Sequence, residues 1–207
     1  MGFTRAELKA QAKEQLKGNV WMLFLITIVA CILVGASSFV FGIGEIFLGY
    51  PILFGAEVCV FMNITYGDKP EVGMIFEPFK KFYWKSIGII LLEALLICLW
   101  SCLFIVPGII KAYSYSQAMY ILNDNPEMGV VDCITESRRI MNGHKWDLFV
   151  LELSFILWIL LGSVTFGLAY IYVMPYMQLT MVNFYHRIKG TPAADAVDVA
   201  ASAEVTE

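Results

Sequence analysis

KKFYWKSIGIILLEALLICLWSCLF, residues 80–104, opens on a basic cluster (Lys80, Lys81, Lys85) around Trp84 and continues as an apolar run over 86–104. A run of that length reaches the roughly 17 to 25 residues a helix needs to cross a ~30 Å hydrocarbon core. Basic residues stay on the cytoplasmic side during insertion, and Trp prefers the headgroup boundary because its ring is apolar while its N–H still wants a partner. The stretch therefore reads as a membrane helix that starts at the cytoplasmic face.

The same arrangement recurs along the chain. Lys and Arg fall in four clusters: Arg5/Lys9/Lys13/Lys17, Lys69/Lys80/Lys81/Lys85, Arg138/Arg139/Lys145 and Arg187/Lys189, with only Lys111 inside an apolar stretch. Between them lie apolar runs at about 20–40, 46–66, 86–104, 108–122, 148–164 and 168–185. The fourth is short: fifteen residues rise only about 22 Å, so it thins the bilayer, leans on Asn123 or is re-entrant. Because the clusters on either side of 86–122 both belong inside, that stretch must return to its starting face. The expected architecture is an all-α polytopic bundle of about six membrane segments as three hairpins (20–66, 86–122, 147–186), both termini cytoplasmic, with cytoplasmic amphipathic helices between them. A segment over 1–18 precedes the bundle (19–189), and an Ala-rich acidic tail over 190–207 reads as disordered.

Composition agrees. Hydrophobic residues make up 59% and charged residues 15%, with a mean hydropathy of +0.71, more apolar surface than a soluble chain of 207 residues can hide. The net charge of -4 is no guide to partners, since acids and bases are segregated. Of the five cysteines, Cys31, Cys59, Cys98 and Cys102 lie in apolar runs and read as small hydrophobes. Cys98 and Cys102 share a helix face, but no His or further Cys is spaced to complete a metal site. The small residues around Val34-Gly35-Ala36 resemble a signal-peptide cleavage pattern, yet five more apolar segments follow, which favours an uncleaved first helix.

Thr4 and Glu7 have capping-box spacing, Phe3 and Leu8 sit at hydrophobic-staple positions, and Gly18 is placed to end the helix between them. Arg5, Lys9, Lys13 and Lys17 recur every four residues beside Leu8, Ala12 and Leu16, the pattern of a basic helix lying on anionic lipid headgroups. The stripe is too short and regular for a nucleic-acid site. A threefold repeat is also legible: an amphipathic segment, a Trp closely preceded by Lys (Trp21, Trp84, Trp146), an outward helix, and a return carrying Pro (Pro51, Pro107, Pro175). The amphipathic segments of the later units carry Ile75, Phe76, Phe79, Phe82 and Tyr83, and then a helix expected to start at Asn125-Pro126 with Val130, Ile134 and Met141 on one line. Such faces suit lipid or the base of the bundle, or a docked partner.

Leu99-Trp100-Ser101, Ile105-Val106-Pro107-Gly108-Ile109-Ile110-Lys111, Tyr113-Ser114-Tyr115-Ser116 and Asp124-Asn125-Pro126-Glu127 resemble a family of bacterial integral membrane proteins known as domain of unknown function 975. Ser137-Arg138, Met141-Asn142-Gly143-His144-Lys145, Trp158, Pro175-Tyr176 and the N-terminal Arg5-Ala6-Glu7-Leu8-Lys9 fit the same pattern. The resemblance implies a multi-helix protein of the bacterial cytoplasmic membrane, and it brings no activity, cofactor or site residues.

The ionisable residues inside the apolar runs are Glu57, Glu93, Lys111 and Glu152. A charge at the centre of a membrane helix costs at least ~2.5 to 3.5 kcal/mol, so such residues face the bundle interior, a partner or water. Counted from the cytoplasmic ends, the three acids lie at roughly 6 to 14 Å depth and are expected either to ring one polar cavity or to be structural acids, with Lys111 snorkelling to the outer end. Neither His144 nor His186 is spaced to serve a nucleophile. The expectation is a non-enzymatic scaffold or accessory protein, without cofactor or metal, that binds lipids, another membrane protein or a second copy of itself. The alternative is a small-molecule or ion transporter using the intramembrane acids.

Overall fold

The computed structural model describes residues 5–37, 45–165 and 167–190. Phe3, Thr4, the first outer turn and the tail beyond Gly190 lie outside the described residues, so the capping box, the staple and the tail go untested. Every element among the described residues is helical. In order they are α1 (Arg5–Leu16), α2 (Val20–Ser37), a π-helical turn Glu45–Gly49, α3 (Tyr50–Phe54), a second π-helical turn Gly55–Cys59, α4 (Val60–Thr65), and a 3-10 helix Val72–Phe76. Then follow α5 (Glu77–Lys81), α6 (Tyr83–Leu103), α7 (Ile105–Tyr115), α8 (Ala118–Asp124), α9 (Val130–Ile140), α10 (Lys145–Leu153), α11 (Ile156–Val164) and α12 (Tyr170–Lys189).

Three helical stretches are long and apolar enough to cross a membrane: Phe47–Thr65, Tyr83–Cys102 and Lys145–Val164, or four if Arg5–Leu16 and Val20–Ala36, bent by 90°, count as one. That is fewer than the six expected: the run at 108–122 is broken, and the run at 168–185 lies in a long helix that is not apolar enough. The first breaks at Ser116 and Gln117, whereas α12 is continuous through Pro175 and carries Gln178, Asn183, His186, Arg187 and Lys189. The physical cause of the first break is a side chain from elsewhere. Ser137 of α9, fully buried, donates its hydroxyl to the Ser114 carbonyl (2.9 Å) and accepts from the Gln117 N–H (3.2 Å). A hydroxyl wedged into the backbone ladder is one of the recognised causes of a helix kink. The helix expected from Asn125-Pro126 starts later, at Val130 after Gly129.

The repeat read from the sequence has a structural counterpart. Trp21, Trp84 and Trp146 stand at the starts of α2, α6 and α10 and are 76%, 72% and 69% exposed. Two, five and nine residues beyond each Trp the chain turns inward: Leu23, Ile26 and Ala30; Ser86, Ile89 and Glu93; Leu148, Leu151 and Phe155. All are buried except Glu93, which is half-buried. Before the first and third Trp the correspondence extends to Leu8, Ala12, Leu16 and Cys133, Ser137, Met141, all buried. Gly18 (φ 86°) and Gly143 (φ 89°), each three residues ahead of its Trp, hold the left-handed corner between amphipathic and outward helix.

Beyond the Trp residues the surface turns apolar. Leu95, Phe104, Ile105 and Val106 on the second hairpin and Leu157, Leu160, Val164 and Leu168 on the third are more than half exposed. Tyr83–Cys102 and Lys145–Val164 are only 17% and 22% buried, whereas Phe47–Thr65 is 67% buried inside the bundle. Gly55 on that inner stretch meets the Ile75 backbone so closely that an added Cβ would lie 2.0 Å from its carbonyl oxygen.

Candidate functional site

Among the described residues, Glu57, Glu152 and Lys111 line three different clefts. Glu57, on the π-helical turn Gly55–Cys59, lines a cleft of about 130 Å³ with Thr27, Cys31, Met174 and Gln178. Glu152 accepts a 2.6 Å hydrogen bond from Tyr113 and faces a different cleft with Ala112 and Ser116. Glu93 has a buried Oε1 without a hydrogen-bond partner among the described residues. The Lys111 ammonium lies 4.6 Å from the ring centroid of Trp100, in the last turn of α6, and lines a cleft with Arg138, Arg139 and Lys145.

The basic stripe of α1 is likewise distributed. Leu8, Ala12 and Leu16 are buried, and the helix packs on α12, so its apolar side is covered by protein where the sequence reading left it to lipid. Gln15 and Asn183 exchange amide hydrogen bonds (3.3 and 2.9 Å), and Arg187 pairs with Glu7 at 3.7 Å. Lys9 donates to the Ser154 hydroxyl (2.7 Å) at the break between α10 and α11, with the Phe155 ring 4.3 Å away. Burial, with Lys13 close by, holds its ammonium below the usual range. Lys13 lies over Tyr176, while Arg5 and Lys17 remain exposed.

Sequence reasoning overlooked a polar centre at the foot of the bundle. Asp124, at the end of α8, has a side chain only 5% exposed. It accepts from Tyr66 (2.8 Å), Tyr185 (2.6 Å) and Lys189 (2.5 Å). Beside it the buried His186 ring shares a 2.8 Å hydrogen bond with Thr65. The three returning helices therefore meet on one carboxylate and its neighbours. The sequence signals were Asp124 at the polar end of an apolar run and its place in the Asp124-Asn125-Pro126-Glu127 motif, with partners 58 to 65 residues away.

These features define a helical protein with several helices suited to a membrane. Residues 102–192 match the family model described as Protein of unknown function (DUF975), in agreement, over that stretch, with the resemblance in the sequence. The match runs from the tip of the second hairpin to the foot of α12 and leaves the first unit outside it. No curated protein and no solved structure matches the chain.

Proposed function

We propose that the chain is a multi-pass protein of the bacterial cytoplasmic membrane, threading it as three hairpins with both termini inside. In this reading it works without catalysis, as a scaffold or accessory protein that binds lipids or another membrane protein. The observation that carries the reading is the girdle of Trp21, Trp84 and Trp146, exposed at three helix starts, with apolar side chains exposed beyond it and basic residues around it. Trp at the headgroup level, apolar surface toward the acyl chains and Lys or Arg on the inner side is the order a bilayer imposes. Six segments remain compatible with the broken return at Ser116 and Gln117, because short or kinked helices are tolerated where neighbouring protein satisfies the freed backbone, as Ser137 does at Gln117.

The test is crosslinking in native membranes followed by mass-spectrometric identification of the co-purified lipids and proteins. Enrichment of a lipid class or of a recurrent membrane protein is the expected result. Enrichment no greater than for an unrelated helical membrane protein of similar size overturns it. A transporter reading draws on Glu57, an acid facing a cleft between α2, the π-helical turn and α12. It predicts a proton flux into proteoliposomes that Glu57→Gln abolishes, and an equal flux in both proteins removes it.

A further inference from the structure

Lys111 of α7, Arg138 and Arg139 of α9 and Lys145 at the start of α10 line one cleft of about 450 Å³, together with Thr135 and Asn142. That volume falls in the ~300–1,000 Å³ range of small-ligand sites. Its charge is unbalanced. Arg139 is committed to Glu136, which it holds below the usual carboxylate range through two hydrogen bonds. Among the described residues no carboxylate lines the cleft, and Arg138 and Lys145 repel the Lys111 ammonium, which is backed by the Trp100 ring. Three elements thus bring like charges together with no counter-ion in the described lining, an arrangement that costs free energy unless an anion occupies it. Trp146, exposed in the girdle, is the next residue after Lys145.

We propose that this cleft binds a phosphate group, as carried by an anionic lipid headgroup at the membrane boundary. The Arg138 guanidinium offers a planar fork for two phosphate oxygens, Lys111 and Lys145 act as point charges, and Asn142 and Thr135 supply neutral donors. The N-terminus of α10, where Lys145 stands, adds positive potential of the same sense. The phosphodiester of a lipid and free inorganic phosphate share this chemistry. The lipid source rests on the membrane reading above, whereas occupancy of the cleft does not.

The experiment uses the full chain in neutral detergent, equilibrated with phosphatidylglycerol, phosphatidylcholine or inorganic phosphate. Native mass spectrometry counts bound lipid, and phosphorus NMR detects bound phosphate. Arg138→Gln/Lys145→Gln is the test variant. Lys17→Gln/Lys80→Gln, with the same loss of charge elsewhere, is the control, and circular dichroism verifies the fold of both. The expected result is phosphatidylglycerol bound in preference to phosphatidylcholine and reduced about tenfold or more by the test variant only, in line with ~1 kcal/mol per cation. Binding of inorganic phosphate that the test variant abolishes, without a lipid preference, supports the site with a free anion as its source. Equal phosphatidylglycerol binding by wild type and test variant overturns the site while leaving lipid association intact. Absence of both ligands from the wild type also overturns it, and the accessory reading then depends on the protein partner sought by crosslinking.

Discussion

At the scale of single residues, the side chains that hold this protein together are polar ones joining separate hairpins. Asp124 is nearly buried and accepts from two tyrosines and a lysine. Asp124→Asn keeps an acceptor for Tyr66 but loses the charge facing Lys189, and should lower stability by about 1–3 kcal/mol. Asp124→Ala strands every partner and should cost about 3–5 kcal/mol. Unfolding in mixed micelles measures both, and a change below the error for Ala shows that the foot is held by packing alone. Ser137→Ala leaves the Gln117 N–H and the Ser114 carbonyl without their hydroxyl partner, an expected loss of about 1–3 kcal/mol. A restabilised variant would mean that the helix straightens on losing the hydroxyl. Both residues lie in motifs that carry the family resemblance, Asp124-Asn125-Pro126-Glu127 and Ser137-Arg138, but those motifs do not reveal what the side chains bond to. What makes these two matter is a partner set by tertiary placement.

At the scale of elements, periodicity revealed which face of a helix is apolar and left open what covers it. Leu8, Ala12 and Leu16 were legible as a stripe, but α12, which buries them, contributes Asn183 from 168 residues along the chain. The two readings of α1 differ measurably. Docked on α12, Leu16→Ala removes a fully buried side chain and should cost about 2–4 kcal/mol. A helix resting on lipid would lose little fold stability from the same change. A double-mutant cycle on Gln15 and Asn183 should return a coupling of about 0.5–1.5 kcal/mol, and additivity would argue that the amides meet only transiently. The outward helices were easier to read, since composition and length alone determine whether a helix can span. The returning helices were misjudged for two reasons: the break at Ser116 and Gln117 depends on Ser137 from another helix, and α12 carries polar residues that take partners on other elements, such as Asn183 with Gln15 and His186 with Thr65.

At the scale of the whole molecule, the girdle of three Trp residues gives the membrane reading a direct test. In variants retaining only Trp21, Trp84 or Trp146, lipids brominated near the headgroup should quench fluorescence more than lipids brominated near the chain ends, and to a similar degree for all three. Deep quenching of any one would break the common level. Orientation is tested by single cysteines at positions 5, 80 and 138 in a cysteine-free background, which should resist an impermeant maleimide in intact cells and react once the inner face is opened. External labelling at position 138 reverses the assignment. The Asp124 cluster also bears on biogenesis. When α8 leaves the ribosome Tyr66 is already available, but Tyr185 lies 61 residues further along and Lys189 still later. The carboxylate must therefore wait, incompletely coordinated, while α9, α10, α11 and most of α12 are synthesised. Assembly is completed by the arrival of the last helix, and a nascent chain halted before it would carry at its base a charge that marks it as unfinished.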